Sequence, residues 1–359
     1  MNFTLHLTEN CNLNCRYCYE THSRTHMCEE TALKAVDLAF SYGHLRNGFS
    51  LFGGEPMLER LLIETLCCYA AQRARETGTT VQYKMTTNGT LLDEPFLRFA
   101  NEHDISVALS HDGLLQDVQR VTRDGRPTAE QLEPVIDLIL RYQPNAVAMQ
   151  TVMPSTVGRM AESVEWLYRR GFSRINTAID YRPDAGWDDA SMAELQKQYQ
   201  RIAKLSEAHF DDARPLLYLN FVSKIAAYLN DRPCIECKLG MRQPSVAPDG
   251  SIYPCNQFLN VPEYRMGDVE HGVDKEKQRA IYSASLDPEP ACRGCAIADR
   301  CRHHCACLNF SLTGHMHEVA PVQCEHERIL IPIADDLAAR LYERKSERFL
   351  RYYGTDADL

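Results

Sequence analysis

Nowhere do the 359 residues contain an apolar run approaching the roughly 20 residues of a membrane span, so no membrane-spanning segment is expected. Positive charge is not in excess either. Lys and Arg number 39 against 49 Asp and Glu, a formal net charge of −10. That balance disfavours nonspecific binding to nucleic acid, whose phosphates call for basic patches. The start, Met1-Asn-Phe-Thr-Leu-His-Leu7, lacks the basic stretch and long apolar core of a signal peptide and alternates like a strand. Tandem repeats and low-complexity tracts are missing as well. What remains is a composition of 44% apolar and 25% charged residues, that of a soluble globular protein, expected in the cytoplasm. The length suffices for one large or two ordinary domains.

Cysteine, by contrast, is abundant, at fifteen residues. Without an export signal, and with most cysteines in closely spaced groups, reduced metal-binding thiols are the expectation rather than disulfides. Cys28, Cys67, Cys68 and Cys307 fit no group clearly. Cys67 and Cys68 fall in an apolar helical pattern and are read as small core residues.

To about Asp180 the chain alternates strand-like and helix-like segments. The expected strands are Asn2–Leu7, Phe49–Phe52, Val81–Thr86, Ile105–Ser110, Val147–Val152 and Arg174–Ile179. Between them lie amphipathic stretches at Glu29–Tyr42, Met57–Glu76, Asp93–Asn101, Ala129–Tyr142 and Val157–Arg170. Successive βα units imply parallel strands with right-handed crossovers, in either an open sheet or a partial barrel. Functional loops then gather at the C-terminal strand ends. A helical bridge is expected at Asp188–Phe210 and Tyr218–Asn230. Residues 233–324 show little periodicity, and a last helix is expected at Ile333–Tyr352.

The first loop carries Cys11, Cys15 and Cys18 in a C-x3-C-x2-C run. Three thiolates can hold three irons of a [4Fe–4S] cluster and leave the fourth open, whereas structural zinc needs four donors. Tyr17 precedes the last of these cysteines. Gly53-Gly54-Glu55-Pro56 ends the second strand, with glycines that let backbone approach a ligand and a carboxylate that could accept from an ammonium group. Thr86-Thr87-Asn88-Gly89 and Ser110-His111-Asp112-Gly113 end the third and fourth strands with short polar residues and a turn glycine.

In this combination the sequence resembles the radical S-adenosylmethionine (SAM) enzymes. The resemblance implies a (β/α)6 partial TIM barrel and reductive cleavage of SAM to a 5′-deoxyadenosyl radical. Electrons would come from a donor such as flavodoxin or ferredoxin. It also implies SAM contacts from Tyr17, Gly53, Gly54, Glu55, Asn88, Ser110 and Asp112. Arg123 resembles an arginine that would pair with the SAM carboxylate.

Farther on come Cys234, Cys237, Gly250-x4-Cys255, then Cys292-x2-Cys295-x5-Cys301-x3-Cys305, and Cys324. This order resembles the SPASM domain, which carries two auxiliary [4Fe–4S] clusters. By that resemblance Cys234, Cys237, Cys255 and Cys305 hold one cluster, and Cys307 is either a substitute for Cys234 or a bystander. Cys292, Cys295, Cys301 and Cys324 hold the other. A zinc ribbon using later histidines is the alternative for this region. The expected domains are the barrel at 1–185, the bridge at 186–232, the SPASM domain at 233–326 and a C-terminal helix at 327–359.

SPASM-bearing relatives mostly modify peptides or proteins. The expected reaction is maturation of a ribosomally made peptide, by a thioether or carbon–carbon crosslink or a related oxidation. Anaerobic sulfatase maturation, which forms formylglycine, is the alternative, and a small-molecule substrate such as a sugar is another. In sulfatase maturases an aspartate follows the Tyr-Pro-Cys segment, where this chain has Asn256, and Gln precedes Gly-Gly-Glu-Pro, where it has Phe52. Only ten residues precede Cys11, so no separate leader-binding domain is expected there. No general acid or base stands out; Asp180 and Tyr181, after the sixth strand, are candidates.

Overall fold

A computed structural model describes residues 1–229, 238–286, 292–302 and 305–353. In chain order the elements are β1 (Asn2–His6), α1 (Glu29–Ser41), β2 (Arg46–Phe52), α2 (Arg60–Thr77), β3 (Thr80–Thr87), α3 (Glu94–Glu102), β4 (Ile105–Ser110), α4 (Gln116–Gln119), α5 (Ala129–Tyr142), β5 (Val147–Val152), α6 (Met160–Arg170) and β6 (Arg174–Ile179). There follow α7 (Asp189–Ala208), β7 (Leu217–Tyr218), α8 (Leu219–Leu229), β8 (Ser245–Val246), β9 (Ser251–Tyr253), β10 (Gly267–Asp268), β11 (Gly272–Val273), α9 (Lys275–Ala284), α10 (Ala306–Thr313), α11 (Pro321–Glu343) and α12 (Glu347–Tyr353). The chain forms two compact units. The first holds Met1–Ser110, Arg120–Pro144 and Cys237–Asp287; the second holds His111–Gln119, Asn145–Glu236 and Pro288–Leu359.

In the first unit β1, β2, β3 and β4 are parallel neighbours, as the βα alternation predicts. Alternation assigns the two faces. Phe3, Leu5, Phe49, Leu51, Tyr83 and Met85 are buried, and the Tyr83 hydroxyl donates to the Cys67 carbonyl of α2 at 3.3 Å, which fixes this as the helix side. The other face carries Thr4, Ser50, Lys84 and Thr86 and is polar. There Gln243 donates to the hydroxyls of both Thr4 and Ser50, at 2.9 and 3.0 Å. Cys67 is buried as expected, but Cys68 is exposed, because consecutive helical residues lie about 100° apart and only one meets the sheet.

The sequence pattern did not reveal how the later chain returns to this sheet. β8 adds to β1 in parallel register, Thr4 opposite Ser245, and β9, β10 and β11 continue antiparallel. Strands of two or three residues are too short to show a period, so this region reads as irregular.

The second unit contains a parallel β5–β6–β7 arrangement, β7 being a strand that was not expected. Helices α6, α7, α8 and α11 pack in this unit. The last helix also differs from expectation. It starts at Pro321, tolerated in the first turn, runs through Pro332 and ends at Glu343. Lys345 then takes a left-handed φ of 53° before α12 begins. Cys324 therefore lies in the first turn of α11, whereas the sequence reading placed it in irregular chain.

Candidate active site

The three-cysteine loop, between β1 and α1, is held by backbone hydrogen bonds from several directions. Gly54 N–H donates to the Thr8 carbonyl at 2.8 Å, Glu55 N–H to that of Asn10 at 2.9 Å, and Asn14 N–H to that of Val121 at 2.8 Å. The glycine pair also has a use beyond the ligand approach expected of it. A Cβ on Gly53, whose φ is 142°, would stand 2.4 Å from the Thr8 carbonyl oxygen, and one on Gly54 2.4 Å from that of Asn10. Both glycines therefore let the end of β2 touch the backbone of the cysteine loop.

Glu55 continues this function. It is 1% exposed, and its carboxylate accepts from Met57 N–H at 3.0 Å, the Thr87 hydroxyl at 2.6 Å and Asn88 N–H at 2.8 Å. Burial pushes its carboxyl above the ordinary range, against these donors. Asn88 in turn donates to Asn12 Oδ1 at 2.8 Å and reaches Cys11 Sγ at 4.0 Å, while Asn12 donates to Thr90 at 2.7 Å. Asn12 was not singled out in the sequence; its place just after Cys11 was the only signal.

Cys11 is buried, and Cys15 and Cys18 are partly exposed. Cys11 Sγ accepts from Leu13 N–H at 3.4 Å, and Cys18 Sγ lies 3.5 Å from His22 Nε2. Burial raises the Cys11 thiol above its ordinary range. Three soft sulfur donors on one loop, Cys11 with the Leu13 N–H aimed at it, fit the thiolate ligands of an iron–sulfur cluster. The Tyr17 ring lies under the Arg120 guanidinium, 5.2 Å from the centroid, and Arg123 donates to Asn10 Oδ1 at 2.8 Å. Ser110 stands half-buried at the end of β4.

A buried pair that sequence reading missed lies in the same unit. His6 Nε2 is 3.5 Å from Glu20 Oε2, His6 is 2% exposed, and neither ring nitrogen has a hydrogen-bond partner among the described residues. Burial lowers the His6 ring to about 4. Nearby in sequence, the Tyr19 hydroxyl accepts from Asn256 Nδ2 at 3.1 Å, and the Cys255 thiol donates to Asn256 Oδ1 at 3.1 Å.

Other expected site residues belong to the second unit. Asp112 is fully buried and its carboxylate accepts from Thr151 N–H at 2.8 Å. Asp180 is clamped by Arg182, at 2.9 and 2.8 Å to its two oxygens. The Tyr181 hydroxyl bonds His326 Nδ1, whose Nε2 meets the Tyr199 hydroxyl at 2.7 Å. Burial lowers His326 to about 3, so this imidazole is neutral and bridges two phenols.

The cysteines Cys292, Cys295, Cys301, Cys305, Cys307 and Cys324 belong to the second unit, and Cys305 Sγ is 3.5 Å from Cys307 Sγ. The Cys307 thiol holds that of Cys305 below its ordinary range. Cys234 and Cys237, expected as ligands, lie outside the described residues. Among the described residues no three His, Cys, Asp or Glu side chains form a group able to hold one metal ion. No described helix is long and apolar enough to cross a membrane.

Residues 5–167 match the radical SAM superfamily. A serine-type anaerobic sulfatase-maturating enzyme of Klebsiella aerogenes is 25% identical over 322 residues, 82% of this chain and 76% of that protein. The radical SAM cyclopropyl synthase TigE of Paramaledivibacter caminithermalis is 21% identical over 370 residues, covering 96% and 74%. Native anSMEcpe, solved with bound AdoMet and the Cp18Cys peptide, shares the fold at TM-score 0.82 and 20% identity, over 95% of this chain and 99% of that one. Residues 5–167 form a radical SAM domain, and the chain that carries it is an enzyme whose cofactors are SAM and an iron–sulfur cluster.

Proposed function

We propose that this enzyme is a maturase of a ribosomally made peptide and installs a thioether or carbon–carbon crosslink or a related oxidation. The observation that carries this reading is Asn256, whose amide stands between the Cys255 thiol and the Tyr19 hydroxyl and cannot take up a proton. The aspartate of sulfatase maturases at that position could. Sulfatase maturation remains the second reading, favoured by the relative that covers 82% of this chain.

In the proposed site Cys11, Cys15 and Cys18 hold the SAM-binding [4Fe–4S] cluster. SAM bound there, on receiving one electron and releasing methionine, would supply the chemistry for hydrogen-atom abstraction from the substrate. Gly53, Gly54, Glu55 and Asn88 set the loop's position and, with Tyr17, Ser110, Asp112 and Arg123, would contact SAM. Cys234, Cys237, Cys255 and Cys305 would hold one auxiliary cluster, and Cys292, Cys295, Cys301 and Cys324 the other, within a partial barrel plus SPASM architecture. Flavodoxin or ferredoxin would donate the electron.

Anaerobic coexpression with short peptides encoded beside this chain, followed by mass spectrometry, tests the reading. A peptide lighter by two hydrogens that does not react with a hydrazide supports a crosslink. A hydrazide-reactive aldehyde on a sulfatase sequence, with every neighbouring peptide unchanged, would establish the second reading instead.

A further inference from the structure

The second unit contains a cavity of about 180 Å³ among β6, α8 and α11, lined also by Arg302 and Leu308. Most of its polar groups are committed to one another. Lys224, 1% exposed, donates to the Arg300 carbonyl at 2.8 Å and pairs with Glu327 at 2.5 Å. Asn220 both donates to and accepts from the Thr177 backbone, at 2.8 and 2.9 Å. Tyr181 is bound to His326.

Two groups are left over, and they are of opposite kinds. Gln323, 1% exposed, spends its amide nitrogen on the Arg302 carbonyl at 3.2 Å, and its Oε1 is buried with no partner among the described residues. An unmet buried acceptor costs about 1–3 kcal/mol, so a donor is wanted there. The exposed Arg302 side chain also lines the cavity, and among the described residues no carboxylate pairs with its guanidinium. Lys224, Arg302 and Glu327 together leave one positive charge in excess. The cavity is below the 300–1,000 Å³ typical of drug-sized ligands, so it suits one small group.

We propose that this cavity is a binding site for a carboxylate with a neighbouring N–H donor: the carboxylate meets Arg302 and the N–H meets Gln323 Oε1. A free amino acid and the C-terminal residue of a peptide both have this chemistry. This chemistry does not depend on which substrate is matured.

Calorimetry on the anaerobically reconstituted protein tests it with three probes: acetyl-alanyl-alanine, its C-terminal amide, and free alanine. Loss of the charge-assisted pair predicts that the amide binds about tenfold or more weakly than the acid. Arg302→Met and Gln323→Leu should each weaken the acid by a similar factor at unchanged iron content. Tighter binding of acetyl-alanyl-alanine identifies a peptide terminus as the source, and tighter binding of alanine a free amino acid. Equal binding of acid and amide, or no saturable binding of any probe at millimolar concentration, overturns the proposal even if neither variant folds.

Discussion

At the scale of single residues, the Gly-Gly-Glu-Pro segment braces the three-cysteine loop, a use beyond the ligand contact that its motif implies. The carbonyls that crowd Gly53 and Gly54 belong to Thr8 and Asn10. Gly54→Ala should therefore shift the cysteine loop, lowering stability by about 1–3 kcal/mol in urea unfolding and abolishing SAM cleavage. Gly158→Ala, with nothing within 4 Å of the added Cβ, should leave both unchanged. Glu55→Gln is a sharper probe. All three partners of Glu55 are donors, so the new amide NH2 must face one of them, costing about 1–3 kcal/mol although the shape is conserved. If Glu55→Gln unfolds at the wild-type urea midpoint, the carboxylate is not the clamp described above. Cys11, Glu55 and Asn88 were legible because each sits at a strand end in a recognisable motif. Asn12, His6 and Glu20 were not, because only the folded backbone makes Asn12 a partner of Asn88 and buries His6 against Glu20.

Among the elements, the main strands and helices were legible wherever alternation persisted for five residues or more, as in β3 and α5. The short strands β7 to β11 were not, since pairing partners define them rather than any period of their own. Helix α11 was misplaced because its first turns carry polar and ligand-like residues, Gln323, Cys324, His326 and Glu327, that mask an inward face buried in the structure. That face is fastened to α8 by the Lys224–Glu327 pair, both partners almost wholly buried. Removing one partner strands a buried charge, so Lys224→Ala should cost about 3–5 kcal/mol in urea unfolding. The double replacement Lys224→Met, Glu327→Leu removes both charges and should lie within about 1–2 kcal/mol of wild type. Additive losses in the double variant would mean that the two side chains do not act as a pair.

For the whole molecule, the return of β8 to the edge of β1 is the feature with the most consequence. It brings residues 245–253 into the sheet that supports the three-cysteine loop, so Cys255 shares a compact unit with Cys11 although 244 positions separate them. Spacing alone could suggest that these cysteines bind metal, but not that this strand joins the first sheet. The Cys292–Cys324 run belongs to the other unit. If the cysteine groups hold separate clusters, damage to one group should leave the others loaded. Replacing Cys11, Cys15 and Cys18 together with Ala should lower bound iron from about twelve to about eight per chain. Reduced electron paramagnetic spectra should then retain the auxiliary signals while 5′-deoxyadenosine production disappears. The β1–β8 register does not depend on those thiols, so the secondary structure by circular dichroism should be preserved. Loss of all iron would show instead that the first loop and the distant cysteines assemble as one metal centre. Persistent SAM cleavage would show that the radical begins somewhere other than this loop.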